Sequence, residues 1–458
     1  MPGLAEHKIE VVRSLVQASP DRIVGALQNA LAGTGGDAAL EEVRRVVDAE
    51  AQDRRLRNAA LQSVAPMFCG DGKTVERLTF PSRALAMLWR GLRAEAPAEI
   101  ACAAAVLADF HPGETSPEAL DALGRLAAAG LRARSNEHYA AVADLCDEAR
   151  PDGAEMLAAC LDVGPVVRDA TLKLGEWITR TTEANAAGAR LAYRDAVEVA
   201  EDAGYRFFEM LAGQLAQPWM ILRIVSAVMD KPTEGYLAQS ELSDFAERLM
   251  DDIDANLAAI THLNLEGGRA AGLEAAQRVE TITLQISEIE EGVVLSREGR
   301  WGGRIAKQKQ ALAATVEERL RAAEKAVQAA LPTQQVKIAR LFRNAPKLNA
   351  PPDDKAVQRA STLLSFTYET RSSASYGGFS SARSKLIEKV GELIDHFVED
   401  AVDRIRSGDL EDPALAQQHL AVAADLRAMM GDEKAAELIR RRAVAAAQAE
   451  PVRERYVG

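Results

Sequence analysis

Between residues 279 and 293 the apolar side chains Val279, Ile282, Ile286, Ile289 and Val293 recur at alternating steps of three and four. A strand repeats every second residue, so this spacing fixes a helix and is that of a coiled-coil seam. The segments on either side carry the same kind of stripe. Leu242, Phe245, Leu249, Ile253, Leu257 and Ile260 line one face of the preceding segment, and Ile305, Leu312, Val316, Leu320, Ala323 and Val327 one face of the following. The three segments run over about 236–264, 270–298 and 303–331, each on the order of 40 Å long at the helical rise per residue. The glycine-rich connections "EGGRAAG" and "GRWGG" permit sharp reversals between them. The expected arrangement is an antiparallel three-helix bundle or coiled-coil-like arm, with the 279–293 seam available for homo-oligomer formation.

Composition extends the helical reading to the whole chain. Apolar residues are 48% of the sequence but aromatics only 5%, and Ala and Leu carry the apolar count. Alanine favours helices, whereas sheets draw on β-branched and aromatic residues. The expected fold class is all-α, with 458 residues divided among several parts. Residues 1–163 read as a solenoid-like array of short antiparallel helices. Ser19-Pro20 and Ser116-Pro117 look like helix starts, Gly33 to Gly36 a stop, and Pro97, Pro112 and Pro151 separators. These predict helices near 81–95, 97–110, 116–132, 136–149 and 151–163. From Pro165 the helices lengthen, with 165–213 interrupted near Gly188 or Gly204, then 218–229; residues 164–343 form the expected long-helix bundle. The proline-rich "NAPKLNAPPDD" (344–354) reads as a linker. Residues 355–458 are expected as C-terminal helices near 355–371 and 380–407 and a hairpin from Pro413.

In that hairpin, Leu420, Ala424, Ala436 and Ala443 surround a Gly431-Asp432 turn. Over 417–450 the spacing resembles a tetratricopeptide repeat, in which small residues let two antiparallel helices approach closely. The resemblance implies a helical hairpin and a role in holding protein ligands.

Signals for reactive chemistry are weak by comparison. "MFCGDGKT" (67–74) contains Gly72-Lys73-Thr74, but a phosphate-binding loop needs a glycine where Met67 stands and a strand before it. The preceding "LRNAALQSVAP" is helical in pattern, so a solvated turn is expected. In "DDID" (251–254), Asp251 and Asp254 lack the further aspartate of a Mg²⁺ site, because Ala255 occupies the position, and an acidic solvated face is expected. The six histidines have no metal-ligand spacing; His396, with Glu392 and Asp400 one turn away on either side, reads as a surface ion-pair row. Cys69, Cys102, Cys146 and Cys160 show no CxxC pair; Cys102, Cys146 and Cys160 sit among apolar helical residues, and buried free thiols of a reducing compartment are expected. No catalytic residue, cofactor or metal ligand is expected. The start of the sequence has no signal-peptide pattern, and "PWMILRIVSAVM" is too short to span a bilayer, so a cytoplasmic protein is expected.

Charge is the most informative surface feature. Residues 230–256 hold eight acidic and two basic side chains, while 297–347 hold twelve basic and four acidic. Either the two stretches neutralise each other within the bundle, or the second is an exposed basic ridge. Candidate contact residues on that ridge are Arg300, Trp301, Arg304, Lys307, Lys309, Lys337, Arg340 and Arg343. Tyr376 and Phe379, in the Ser/Gly-rich loop 370–385, are further candidates. Three functional readings follow: a helical scaffold or adaptor that binds other proteins, an anion-binding module for nucleic acid or acidic lipid using 300–347, or an enzyme with a dispersed helical site.

Overall fold

The computed structural model of the chain describes residues 6–33, 38–72, 77–109, 117–179, 182–229, 232–338 and 341–448. Among these the fold is all-α apart from one two-stranded hairpin. No helix among the described residues is long and apolar enough to cross a membrane. The chain divides into two compact units. Met1–Pro232 and Ser240–Leu242 form the first, Thr233–Gln239 and Ser243–Gly458 the second.

The first unit contains α1 (Glu6–Ala18), α2 (Asp21–Leu31), α3 (Ala38–Ala60), α4 (Ser82–Glu95), α5 (Pro97–Asp109), α6 (Glu118–Ala133), α7 (Glu137–Ala149), α8 (Gly153–Thr179), α9 (Glu183–Val199), α10 (Ala203–Gly213) and α11 (Ile221–Val228). Proline and capping signals place most of these ends. Asn136, for example, accepts the backbone N–H groups of His138 and Tyr139 at the start of α7. The expected division at 163/164 does not occur, because α8 runs unbroken through Pro165. Proline removes one helical N–H but leaves the rest of the ladder. Here Val163, Gly164, Val167 and Arg168 are all buried, so packing outweighs the lost bond. Of the interruptions expected near Gly188 or Gly204, the second occurs, between α9 ending at Val199 and α10 starting at Ala203, whereas Gly188 lies inside α9. Packing also skips along the chain, α4 lying on α7 and α6 on α8, so the stack is not one of neighbouring hairpins alone.

At its N-terminal end, α1 and α2 both lie on α3 around a small core of Val16, Val24, Val47 and Ala51. So small a core needs a second tie, and Arg54 of α3 supplies it. This buried guanidinium donates to the carbonyls of Val16, Gln17 and Ser19 at 2.8–3.1 Å, and to Asp21 and Glu50 at 2.7 Å each. It thus caps the C-terminal carbonyls of α1 and holds the first turn of α2. Burial works against the Asp21 carboxylate, but Arg57 and Arg54 outweigh it and hold its pKa below the usual range.

The second unit contains α12 (Glu234–Leu237), α13 (Ser243–Thr261), α14 (Gly268–Gly292), α15 (Arg300–Ala330), β1 (Thr333–Ile338), β2 (Leu341–Pro346), α16 (Asp354–Glu369), α17 (Ser380–Ser407), α18 (Pro413–Met429) and α19 (Glu433–Gln448). The three long helices form as their periodicity requires, but they do not make a closed trio. The helix α16 packs against both α14 and α15, and α13 does the same from the opposite side. The result is a four-helix bundle in the cyclic order α13, α14, α16, α15. The five seam residues from Val279 to Val293 are at most 2% exposed within the single chain, so that seam is intramolecular and is not free to join two copies.

The reason is the contact between α14 and α16. Gly268, Gly272, Ala275 and Ala276 of α14 are buried, as are Ser361, Thr362 and Ser365 of α16. The Ser361 and Thr362 hydroxyls donate to carbonyls one turn back in α16, at 2.8 and 2.9 Å, so their burial leaves no donor unmatched. A Cβ built at Gly272 would sit 2.2 Å from the Thr362 carbonyl oxygen. The expected linker is therefore not a domain boundary: residues 344–346 belong to β2, and the extended chain after it delivers α16 into the bundle. The hairpin itself is a departure from the sequence reading. Pro332 ends α15, and β1 and β2 pair antiparallel from Thr333 opposite Pro346 to Ile338 opposite Leu341. Arg343 pairs with Asp400 and Arg404 donates to the Pro346 carbonyl, tying β2 to α17.

The helices α18 and α19 form the expected hairpin, with Leu420, Ala424 and Ala436 fully buried, Ala443 partly so, and Gly431 at φ +82° in the turn. It packs on α17, and α18 also meets α16.

Two outcomes test these contacts. Alanine normally stabilises a helix interior relative to glycine by up to about 1 kcal/mol. At Gly272 the methyl would meet backbone, so Gly272→Ala is expected to destabilise by roughly 1–3 kcal/mol, read as a lower melting temperature. Arg54→Ala is expected to cost about 2 kcal/mol or more locally. Hydrogen exchange should then quicken across 6–31 while α4 to α11 keep their protection.

Candidate functional site

The sequence directs attention to the basic stretch, and its geometry begins with an acid outside that stretch. Glu234, in the one-turn α12, is buried beside the first turn of α15. Its carboxylate accepts the backbone N–H groups of Trp301 at 2.8 Å, Ser296 at 3.0 Å and Gly302 at 3.3 Å. These amides would otherwise lack partners, and a carboxylate at a helix N-terminus is favoured by the backbone dipoles. The Glu234 backbone N–H donates to Val294 at 3.1 Å, which fixes α12 against the turn before α15.

Trp301 does not present an exposed anchor. It is 1% exposed, and its Nε1 donates to Glu247 of α13 at 2.6 Å. Arg300 pairs with the same carboxylate. Arg304 reaches Asp251 and Asp254 at 2.5 Å each and Glu247 at 3.5 Å. Burial opposes the Arg304 charge, but the hydrogen bonds it donates to Asp254 and Asp251 raise its pKa above the ordinary guanidinium value. One turn on, Gln308 donates to Asp254 and to the Met250 carbonyl, each at 2.8 Å. The aspartates of "DDID" therefore serve as partners for α15 and α14, Asp252 accepting from Gln285, and do not form a free acidic face.

Lys309 pairs with Glu290 of α14 at 2.9 Å and stands 5.0 Å from the Tyr376 ring centre. The Tyr376 hydroxyl donates to the same Glu290 at 2.6 Å, and burial together with Glu290 raises the phenol pKa. The Ser/Gly-rich loop is thus folded against α14. Phe379 is 1% exposed, and its N–H donates to the Ala374 carbonyl at 3.1 Å, so it too is a packing residue and not a surface contact. Arg343 is held by Asp400, which also withdraws Asp400 from the His396 row. Of the remaining ridge residues, Lys307 is exposed and has no partner among the described residues. Arg340 and the Lys337 side chain lie outside the described residues.

The other sequence candidates are equally local. Lys73 and Thr74 fall outside the described residues. Before them, a short 3-10 turn (Ala65–Met67) leads into 68–72, where the Cys69 N–H donates to the Phe80 carbonyl at 3.0 Å and Gly72 to Cys69 at 3.2 Å. Gly72 has φ +73°, and a Cβ there would lie 2.5 Å from Pro81. This glycine serves a tight turn against the start of α4, with no strand leading into it. All four cysteines are free; Cys146 and Cys160 are buried, whereas Cys69 and Cys102 are exposed. No cluster of three His, Cys, Asp or Glu side chains among the described residues is arranged to hold a metal ion.

The ridge and the acidic helix are brought together; of the candidate aromatics Trp301 and Phe379 are buried, whereas Tyr376 remains exposed. Sequence reasoning missed Glu234, Glu290 and Asp400 as partners: Glu290 and Asp400 lie outside the acidic stretch 230–256, and Glu234, inside it, meets backbone amides. Against known proteins, the chain matches no family, no curated protein and no solved structure.

Replacing Glu234 with Ala should leave the N-terminal amides of α15 unmatched and cost about 2 kcal/mol or more. Glu234→Gln keeps an acceptor oxygen and should cost about 1 kcal/mol. Chemical denaturation of the two variants checks this; if the side chain only filled space, the isosteric Glu234→Gln would be as stable as the wild type.

Proposed function

We propose that the chain is a non-enzymatic helical scaffold or adaptor that works in the cytoplasm through contacts with other proteins. The observation that carries this reading lies on the first two helices. Val11 and Leu15, one turn apart on α1, are 53% and 63% exposed, and Ile23 and Leu27, one turn apart on α2, are 47% and 38% exposed. Leu40, at the start of α3, is exposed as well. Single exposed apolar residues are ordinary, but pairs at helical spacing on successive helices make an apolar surface suited to a helical partner. The acidic overall charge favours partners that do not rely on a negative surface.

An anion-binding role for 300–347 draws less support. Arg300, Arg304, Lys309 and Arg343 each face a carboxylate of the same chain, so a phosphate backbone would have to displace those acids.

The double variant Leu15→Asp, Ile23→Asp tests the scaffold reading. It is expected to keep the wild-type circular dichroism and melting temperature, since both side chains are already in water. It should lose the proteins that the wild-type chain retains in a crosslinked pull-down; retention of the same set by the variant would remove this surface from consideration.

A further inference from the structure

A separate feature of the first unit lies on another side of α1. Its residues Arg13 and Gln17, with Arg45 and Glu50 of α3 and Arg93 of α4, border an open cavity of about 290 Å³. Val46 and Ala49 of α3 and Asp53 also line it, Val46 half-buried and Ala49 exposed. We propose that this cavity binds a small organic anion carrying a phosphate or carboxylate group. The proposal is independent of the scaffold reading, because it uses neither Val11 and Leu15 nor the exposed face of α2.

The charge arrangement supports it. Three guanidiniums face the cavity, and the acids there are already occupied. Glu50 accepts from Arg54 at 2.7 Å. Asp53 accepts the Trp89 indole N–H at 3.0 Å and has Arg93 at 3.4 Å. Arg13 pairs with Glu10 through a single nitrogen at 2.5 Å. Arg45, on the exposed side of α3, has no partner among the described residues. Each guanidinium carries five N–H donors, and Arg13 and Arg93 each face one acid of the chain through a single nitrogen, which leaves a surplus of donors on all three. An oxyanion with two or more acceptor oxygens matches that surplus, since guanidinium forks bind phosphate and carboxylate by paired hydrogen bonds. The volume sits at the small end of ligand cavities, which suits a small anion.

Arg45 and Arg13 are the test positions, because their side chains project into water and neither belongs to the core. Isothermal titration calorimetry of the full chain with inorganic phosphate and with succinate, each against sodium chloride at equal ionic strength, reads the binding directly. At least one oxyanion is expected to bind where chloride does not, and the one that binds names the group recognised. Arg45→Ala should weaken it at least about tenfold, Arg13→Ala should weaken it less, and Arg45→Lys should fall between wild type and Arg45→Ala because it keeps charge without the fork. Circular dichroism establishes that each variant is folded. If neither oxyanion binds more than chloride, or if binding survives unchanged in both Arg45→Ala and Arg13→Ala, the proposal is overturned.

Discussion

The second unit depends on how closely α14 and α16 approach. The glycines and alanines of α14 bring backbone against backbone, and Ser361 and Thr362 of α16 bury their hydroxyls by returning them to their own helix. That single contact decides three other features. It draws the chain back after the β hairpin, it supplies the fourth wall of the bundle, and it seals the isoleucine seam of α14 inside one molecule. A bulkier α14 would push α16 away and leave Ile282, Ile286 and Ile289 open to a second copy.

This explains why the bundle was legible in part. Apolar periodicity marks which face of a helix is buried, and it marked α13, α14 and α15 with nearly the right ends. It does not say what covers that face. The cover for α14 is a helix whose contact residues are Ser361, Thr362 and Ser365, which carry no apolar signal, and which follows a run of prolines that looks like a boundary. The β hairpin was missed for a related reason. Its strands are short, and the basic residues around them continue the composition of α15 without a change of pattern.

Charge was legible as a sum and not as a set of pairs. The opposed acidic and basic stretches implied neutralisation, and α13 does neutralise the first turns of α15. The particular partners depend on three-dimensional placement: Glu234 meets amides more than sixty residues away. Trp301 and Phe379 are candidate surface contacts in the sequence because both sit among glycines or serines, although Trp301 fits a cap on the bundle end equally well. In both places the small neighbours let the chain turn tightly enough to fold the aromatic ring inward, which is the opposite consequence of the same composition. In the first unit, proline and capping residues located most helix ends, but Pro165 did not end one, because a helix buried along much of its length retains its path after losing a single hydrogen bond.

The helix α1 shows how few contacts can place several surfaces. Its positions divide among three directions: Val12 and Val16 toward α3, Val11 and Leu15 into water, Arg13 and Gln17 toward the cavity. The apolar tie is small, so the orientation of all three faces rests largely on the carbonyl contacts made by Arg54. A guanidinium suits this work because its fixed fork reaches the end of α1 and the start of α2 at once, which a lysine ammonium would not hold in a fixed direction.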